Sequence, residues 1–348
     1  MHLTALEVLF LKHFHYPGNT NYYLFIGYVC SIKDPVTGGK HCCIGSIYPN
    51  REFIVTSTLA SQAPGAVGRA LAIPLASKLL GSQSNFASSA ISYVSVGDGS
   101  INNAHFLSAI NFAKYCEFRG IKCPIVFVVS DNNRCISLKG YDWINEFKKG
   151  FSAINSGSCG GDYIDNLQVA DGNDIVDIYV KSKTVIDFTR QWSKPSMLIV
   201  NRLPRRFGHA ATDRQFAYMT KEEIASQLSS NPLAVACGAA IASNIFTEKE
   251  FEDTFQRMVG IVEESFAAAL KEEKINSRDV LVQSNSRPLV SPVKDRILTR
   301  PSPPVGNNNG QPGKAREPMR KHMTAVFEEL LQANKECVYI GEDVEHGG

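Results

Sequence analysis

The chain has 348 residues, 44% of them hydrophobic and 20% charged, enough to bury a large core and to hold two domains. A formal charge of +2 and a pI near 8.0 build no field that would recruit nucleic acid or an acidic membrane surface. Nine scattered cysteines (Cys30, Cys42, Cys43, Cys116, Cys123, Cys135, Cys159, Cys237, Cys337), an odd number with no Cys-x-x-Cys ladder, argue against a disulfide framework or structural zinc and for a reducing compartment.

In chain order, residues 1–33 read as an irregular N-terminal remnant. Met1 to Phe14 is apolar in patches, yet it carries Glu7, Lys12 and His13 and lacks an arginine-rich face or a small-residue cleavage site, so no targeting signal is read there. No run reaches the roughly 18 apolar residues of a membrane span. Asp34 to Gly39 is turn chemistry. His41, Cys42 and Cys43 are adjacent on an extended stretch, where neighbours point to opposite faces, and so do not make a metal site.

Thr56 to Leu80 is expected to be an alanine-rich helix opened by Thr and Ser caps. An apolar run then ends in Gly97-Asp98-Gly99. Asn103 to Phe118 follows as a helix with Phe106, Ile110, Ala113 and Cys116 on one face. It supplies the crossover to a second apolar run, Ile125 to Val129, which ends in Ser130-Asp131-Asn132-Asn133. Val169 to Gly172 and Met197 to Arg202 read as further strands with a helix from Ile175 to Trp192 between them, and Glu248 to Lys274 as a long charged helix. From Ser284 to Pro318 the chain fills with Pro, Asn and Gly, as linkers do. Met319 to Ala333 is expected to be a helix and Cys337 to Ile340 a strand leading into Gly341-Glu342-Asp343-Val344. The fold class is α/β with a mostly parallel sheet, followed by the start of a second, similar domain.

The chemistry sits where the two short β-branched runs stop, the edge at which open α/β sheets gather their ligands. Magnesium wants near-octahedral oxygen coordination and takes a carboxylate, amide or backbone carbonyls, water and phosphate oxygens. Asp98 and Asn132 fit that list, and Gly97 and Gly99 let a phosphate approach the backbone. A helix-capping aspartate would explain Asp98 alone, and Gly-Asp-Gly occurs in many turns. No Gly-x-Gly-x-x-Gly follows a strand, which disfavours a dinucleotide enzyme.

Four segments in order carry a closer likeness. They are Thr56-Ser57-Thr58-Leu59-Ala60-Ser61-Gln62 with Ala66-Val67-Gly68, the Gly-Asp-Gly and Asp-Asn segments, Arg205-Arg206-Phe207-Gly208-His209, and Gly341-Glu342-Asp343-Val344. Together they resemble the thiamine-diphosphate-dependent 2-oxo acid dehydrogenases, the decarboxylating first component of large multienzyme complexes. The branched-chain 2-oxoisovalerate type, with alpha and beta halves fused, is nearest. The resemblance implies a three-layer thiamine-diphosphate-binding fold over residues 34–283, a linker over 284–318, and over 319–348 the beginning of a transketolase-like pyrimidine-binding domain.

Residue by residue, the resemblance puts Asp98 on magnesium. Anchoring on Ile136-Ser137 makes Asn132 the amide ligand and Arg134 the donor of a backbone carbonyl, with Asn133 as the register alternative. Gly97, Gly99, Ser100 and Ser137 fall beside the cofactor, and Leu59 against its aminopyrimidine. Arg205, with Arg206 as rival, meets the diphosphate. His209 contacts the cofactor and helps the acyl group move to a lipoyl arm, while Glu342 hydrogen-bonds the aminopyrimidine as the acid/base centre. Thr56, Thr58, Ser61 and Gln62 match a loop that binds a monovalent cation in some relatives, although a helix cap explains the same hydroxyls. Ala210 and Ala211 stand where mammalian members carry a regulatory serine, so control by phosphorylation there is not expected.

The implied partners are a 2-oxo acid, a lipoylated acyltransferase, and alpha and beta halves assembled as an oligomer. The implied compartment is the mitochondrial matrix in a eukaryote or the cytoplasm in a bacterium. Relatives continue before Asp34 and beyond Gly348, so a fragment or partial gene model is expected, not active alone. Two other readings stay open. A transketolase shares the Gly-Asp-Gly and Asn elements but not the Arg-Phe-Gly-His or Gly-Glu-Asp-Val segments, and a non-catalytic assembly module would keep the fold without the chemistry.

Overall fold

A computed structural model describes residues 29–34, 38–40, 58–87, 89–139, 143–153, 166–206, 208–209, 213–285, 318–335 and 337–339. In chain order its main elements are α1 (Gln62–Leu80), β1 (Ser92–Gly97), α2 (Ala104–Phe118), β2 (Ile125–Ser130), β3 (Arg134–Cys135), β4 (Leu138–Lys139) and α3 (Trp143–Ala153). Then come β5 (Leu167–Asp171), α4 (Ile175–Trp192), β6 (Ser196–Asn201), α5 (Lys221–Ser229), α6 (Pro232–Ala242), α7 (Glu248–Leu270), α8 (Arg278–Asn285) and α9 (Met319–Ala333). The chain divides into two compact units, Met1–Pro74 with Ser88–Asn276, and Leu75–Ala87 with Ser277–Gly348.

In the first unit, four parallel strands form one sheet in the order β1-β2-β6-β5. β2 is apolar and buried along nearly its whole length, as a central parallel strand covered on both faces must be. Its alternate side chains feed two cores. Ile125, Phe127 and Val129 join Val67 and Ala70 of α1 and Phe106, Ala109 and Ala113 of α2. Val126 and Val128 face the other way, with Leu198, Val200 and the α4 residues Ile178 and Val185. Phe106 meets Phe127 edge-on, with ring centroids 5.9 Å apart and planes at 87°. The α2 face expected from the sequence is buried as a set: Phe106, Ile110, Ala113 and Cys116. Asn103 caps that helix by accepting the His105 amide at 2.9 Å.

Three expected elements differ, the mildest being the charged helix α7, which ends at Leu270 and not at Lys274 because the Lys271 and Glu272 amides tighten onto the carbonyls three residues back. Helix α1 begins at Gln62, later than expected, because Ala60 holds a left-handed φ of 63° that a helix cannot contain. The Ser61 and Ala63 amides instead close turns onto the Thr58 and Ala60 carbonyls. Cys337 to Tyr339, expected as strand, carry no strand structure. The Cys337 amide turns back onto Asn334 at the end of α9, and no described neighbour pairs with the segment, without which extended chain is not sheet. In the same unit the Phe327 and Tyr339 rings lie 5.0 Å apart. Among the described residues no helix is long and apolar enough to cross a membrane.

Candidate functional site

Strand register sets the site. Gly97 pairs with Ser130 and Ser130 with Val200, so β1, β2 and β6 finish side by side and the next residues, Asp98 and Asp131, leave the sheet together. Asp98 opens a short 3-10 turn through Asn102. After Asp131 the chain makes a tight turn: Asp131 Oδ1 accepts the Asn133 amide at 2.8 Å, and Asn133 takes a left-handed φ of 56°. Asp131 itself is pinned at the entry to this turn, its amide donating to the Val200 carbonyl of β6 and its carbonyl accepting the Leu203 amide from the loop that follows β6.

One backbone amide then joins the two expected metal ligands. The Arg134 N–H donates to Asp98 Oδ2 at 2.9 Å and to Asn132 Oδ1 at 3.0 Å, so the acid and amide oxygens converge on a single point. The hairpin β3–β4 that carries Arg134 comes close to the Asp98 turn. A Cβ at Gly99 would lie 3.2 Å from both Cβ and Sγ of Cys135, so the close approach that this glycine permits is to protein. At Gly97 a Cβ would meet nothing within 4 Å among the described residues.

Asp98 and Asp131 are buried, at 9% and 8% exposure. Burial, with the Asp131 carboxylate beside it, pushes the Asp98 carboxyl up to about 6, while the amides of Arg134 and Gly99 pull it the other way. Neighbouring carboxylates in low dielectric repel each other, and a hard divalent cation between them would reverse that penalty. Both acids line a small cleft with Ile101, Asn102, Asn133, Cys135, Trp143 and Ile144. Among the described residues no group of three or more His, Cys, Asp or Glu is arranged so that those side chains by themselves could hold a metal ion. A cation here would therefore need amide, carbonyl and exogenous oxygens, the donor set that suits magnesium and phosphate.

The loop after β6 reaches the same hairpin. Arg205 is buried and its Nη1 donates to the Ile136 carbonyl. Gln227 of α5 receives the Arg205 amide at 2.6 Å, and Gln215 donates to its carbonyl at 3.1 Å. Arg206 turns elsewhere, its Nε on the Leu228 carbonyl at 3.3 Å. Of the two rival arginines, Arg205 is the one whose guanidinium is seen to meet the β3–β4 hairpin. His209 is exposed and follows Gly208, whose φ is 83°. A Cβ at Gly208 would come within 2.6 Å of Asp213 Oδ2, so only glycine fits. That same oxygen accepts the His209 amide at 2.7 Å and the Tyr218 hydroxyl at 2.6 Å. The Tyr218 hydrogen bond holds the Asp213 carboxyl below its usual range.

Other expected residues are more dispersed. Leu59 and Thr58 are exposed in the turn before α1, Ser100 is half-buried in the Asp98 turn, and Ser137 is exposed at the tip of the hairpin. Gln62 donates from Nε2 to the Ser95 carbonyl at 3.3 Å, and among the described residues its buried Oε1 has no partner. Thr56, His41, Cys42, Cys43 and Glu342 lie outside the described residues. Asp131, Asp213 and Tyr218 were not singled out by the motifs. Asp131 could have been, as an acid directly after a buried strand, whereas nothing local marks Asp213 or Tyr218.

A family model described as dehydrogenase E1 component matches residues 13–277. The chain is similar to the mitochondrial 2-oxoisovalerate dehydrogenase subunit alpha 2 of Arabidopsis thaliana, 26% identical over 230 residues, covering 66% of this chain and 44% of that protein. It is also similar to the pyruvate dehydrogenase E1 component subunit alpha of Acholeplasma laidlawii, 28% identical over 158 residues, 42% of each chain. The chain spans less than half the length of these curated relatives.

Proposed function

The chain belongs to the dehydrogenase E1 component family, and from that premise we propose that it binds magnesium and thiamine diphosphate for the oxidative decarboxylation of a 2-oxo acid. The observation that carries this reading is the convergence of Asp98 Oδ2 and Asn132 Oδ1 on the Arg134 amide, at the carboxyl ends of adjacent parallel strands. When bound, thiamine diphosphate supplies the electron sink that loss of carbon dioxide from a 2-oxo acid requires.

The chain's own residues bind and orient. Asp98 and Asn132 would hold the magnesium ion together with the Arg134 carbonyl, and Asp131 would add the second buried negative charge that favours a divalent ion. Gly97 and Ser100 would face the diphosphate, and Arg205 would bring a fixed positive charge to the hairpin. His209, aimed by Gly208 and Asp213, would hold a proton on its imidazole while the acyl group passes to a lipoylated acyltransferase. Glu342 would hydrogen-bond the aminopyrimidine through its carboxylate. A branched-chain 2-oxo acid is the favoured substrate, because the 2-oxoisovalerate relative matches over more of this chain than the pyruvate relative does. Assembly with a pyrimidine-binding half belongs to the same proposal.

Calorimetric titration of the chain with magnesium and thiamine diphosphate tests it. Heat of binding that disappears in Asp98→Ala supports the assignment. Binding of equal strength in that variant removes Asp98 from the metal and the proposal with it.

A further inference from the structure

Arg134 has a side chain that its backbone role does not explain. The guanidinium is largely buried, at 11% side-chain exposure, and among the described residues its Nη1 has no hydrogen-bond partner. An arginine stays charged at any physiological pH and offers five donors in a rigid fork, so a buried, unpaired arm is desolvated without return.

Its neighbours do not supply the missing acceptor. Nη2 reaches Glu223 Oε1 only at 3.4 Å, and Lys139 Nζ approaches the same oxygen at 3.5 Å. The other oxygen of Glu223 is engaged with the Thr220 amide at 2.9 Å, half of the capping box that starts α5. The Tyr218 ring lies 5.9 Å from Arg134 Cζ and offers a π face, which is no hydrogen-bond acceptor for Nη1. Two cations share one carboxylate oxygen, so this corner keeps a positive charge. Close by, Arg205 spends a second guanidinium on a neutral carbonyl, that of Ile136.

We propose that the Arg134 guanidinium is an oxyanion-binding group, with Nη1 taking a phosphoryl or carboxylate oxygen of a molecule bound beside the Asp98–Asn132 pair. A planar fork fits both anions, and the residue's own amide ties it to the two metal-ligand candidates. The inference rests on the proposed function only for which anion arrives, a diphosphate or a 2-oxo acid. Glu223 then acts as a positioning residue and competitor. It holds the guanidinium in the site and weakens its grip on an incoming anion.

The full chain is titrated in a chelator, so that no metal contributes, with inorganic pyrophosphate and separately with 2-oxoisovalerate. Arg134→Met should weaken at least one probe tenfold or more, and which probe weakens identifies the source of the oxygen. Glu223→Gln should strengthen the same probe threefold or more, because glutamine keeps the capping box while removing the competing charge. Opposite signs in the two variants are what a merely structural role does not produce. Unchanged binding in both, weakened binding in both, or no binding of either probe by the parent chain overturns the proposal. Should Arg134→Met not fold, the Glu223→Gln result decides alone. The metal-dependent titration of Asp98→Ala is a separate measurement, so the proposed function can fail while this inference stands, and the reverse.

Discussion

Two ends of one sheet edge hold aspartates in opposite states. Where β5 and β6 finish, Asp171 accepts Arg202 Nη1 at 2.6 Å and the Asn173 amide at 3.0 Å, and Asn173 donates back to the Arg202 carbonyl at 3.0 Å. That corner neutralises itself in partly solvated surroundings. Where β1 and β2 finish, Asp98 and Asp131 are both buried and Asp98 is met by backbone amides, with no cation recorded against either acid among the described residues. Strand direction and edge are shared, so topology alone does not make a site. The difference lies in charge left uncompensated under burial, which one corner avoids with an arginine and the other does not.

The comparison can be broken most severely from below. Phe127 is fully buried on β2, the strand that ends at Asp131, and Phe127→Ala should cost about 3–5 kcal/mol of stability by emptying the core between α1, α2 and the sheet. Urea unfolding checks it, and a loss under about 1 kcal/mol would mean that β2 does not anchor the edge as described. Asp98→Asn should next weaken magnesium-dependent binding of thiamine diphosphate by about 1–3 kcal/mol, since a charged ligand becomes neutral, and calorimetry reads this directly. Gly208→Ala should destabilise by about 1–2 kcal/mol, because a side chain is forced into a left-handed backbone against Asp213, while leaving cofactor affinity unchanged. The smallest effect belongs to the other corner. Arg202 is 70% exposed, so Arg202→Ala should cost less than about 1 kcal/mol and leave cofactor binding alone. If that variant abolished binding, the two corners would not be as different as their charges imply.

How far the sequence could be read follows the range of the interactions. The α2 face and the bounds of α4, Ile175 to Trp192, were legible because helical burial repeats every three to four residues, and the structure adds the cap, with Asp174 accepting the Val176 and Asp177 amides. Asp98 and Asn132 stood out because each follows a short apolar run. The start of α1 was not legible, since the left-handed turn at Ala60 is imposed by packing at a residue type that gives no such signal. The extended reading of Cys337 to Tyr339 failed for a related reason: a strand exists only with its neighbour.

From the residues alone, then, came the parallel α/β class, the two strand ends that carry polar oxygens, and the family. These depend on local periodicity and on side-chain chemistry that neighbours along the chain already display. The folded chain alone decided which oxygens meet. One amide at Arg134 gathers Asp98 and Asn132 across more than thirty residues of sequence, Arg205 reaches Ile136, and a buried guanidinium is left with an open arm among the described residues. Such convergence is set by strand register and by the packing of loops that lie far apart in the chain, and no local pattern encodes it.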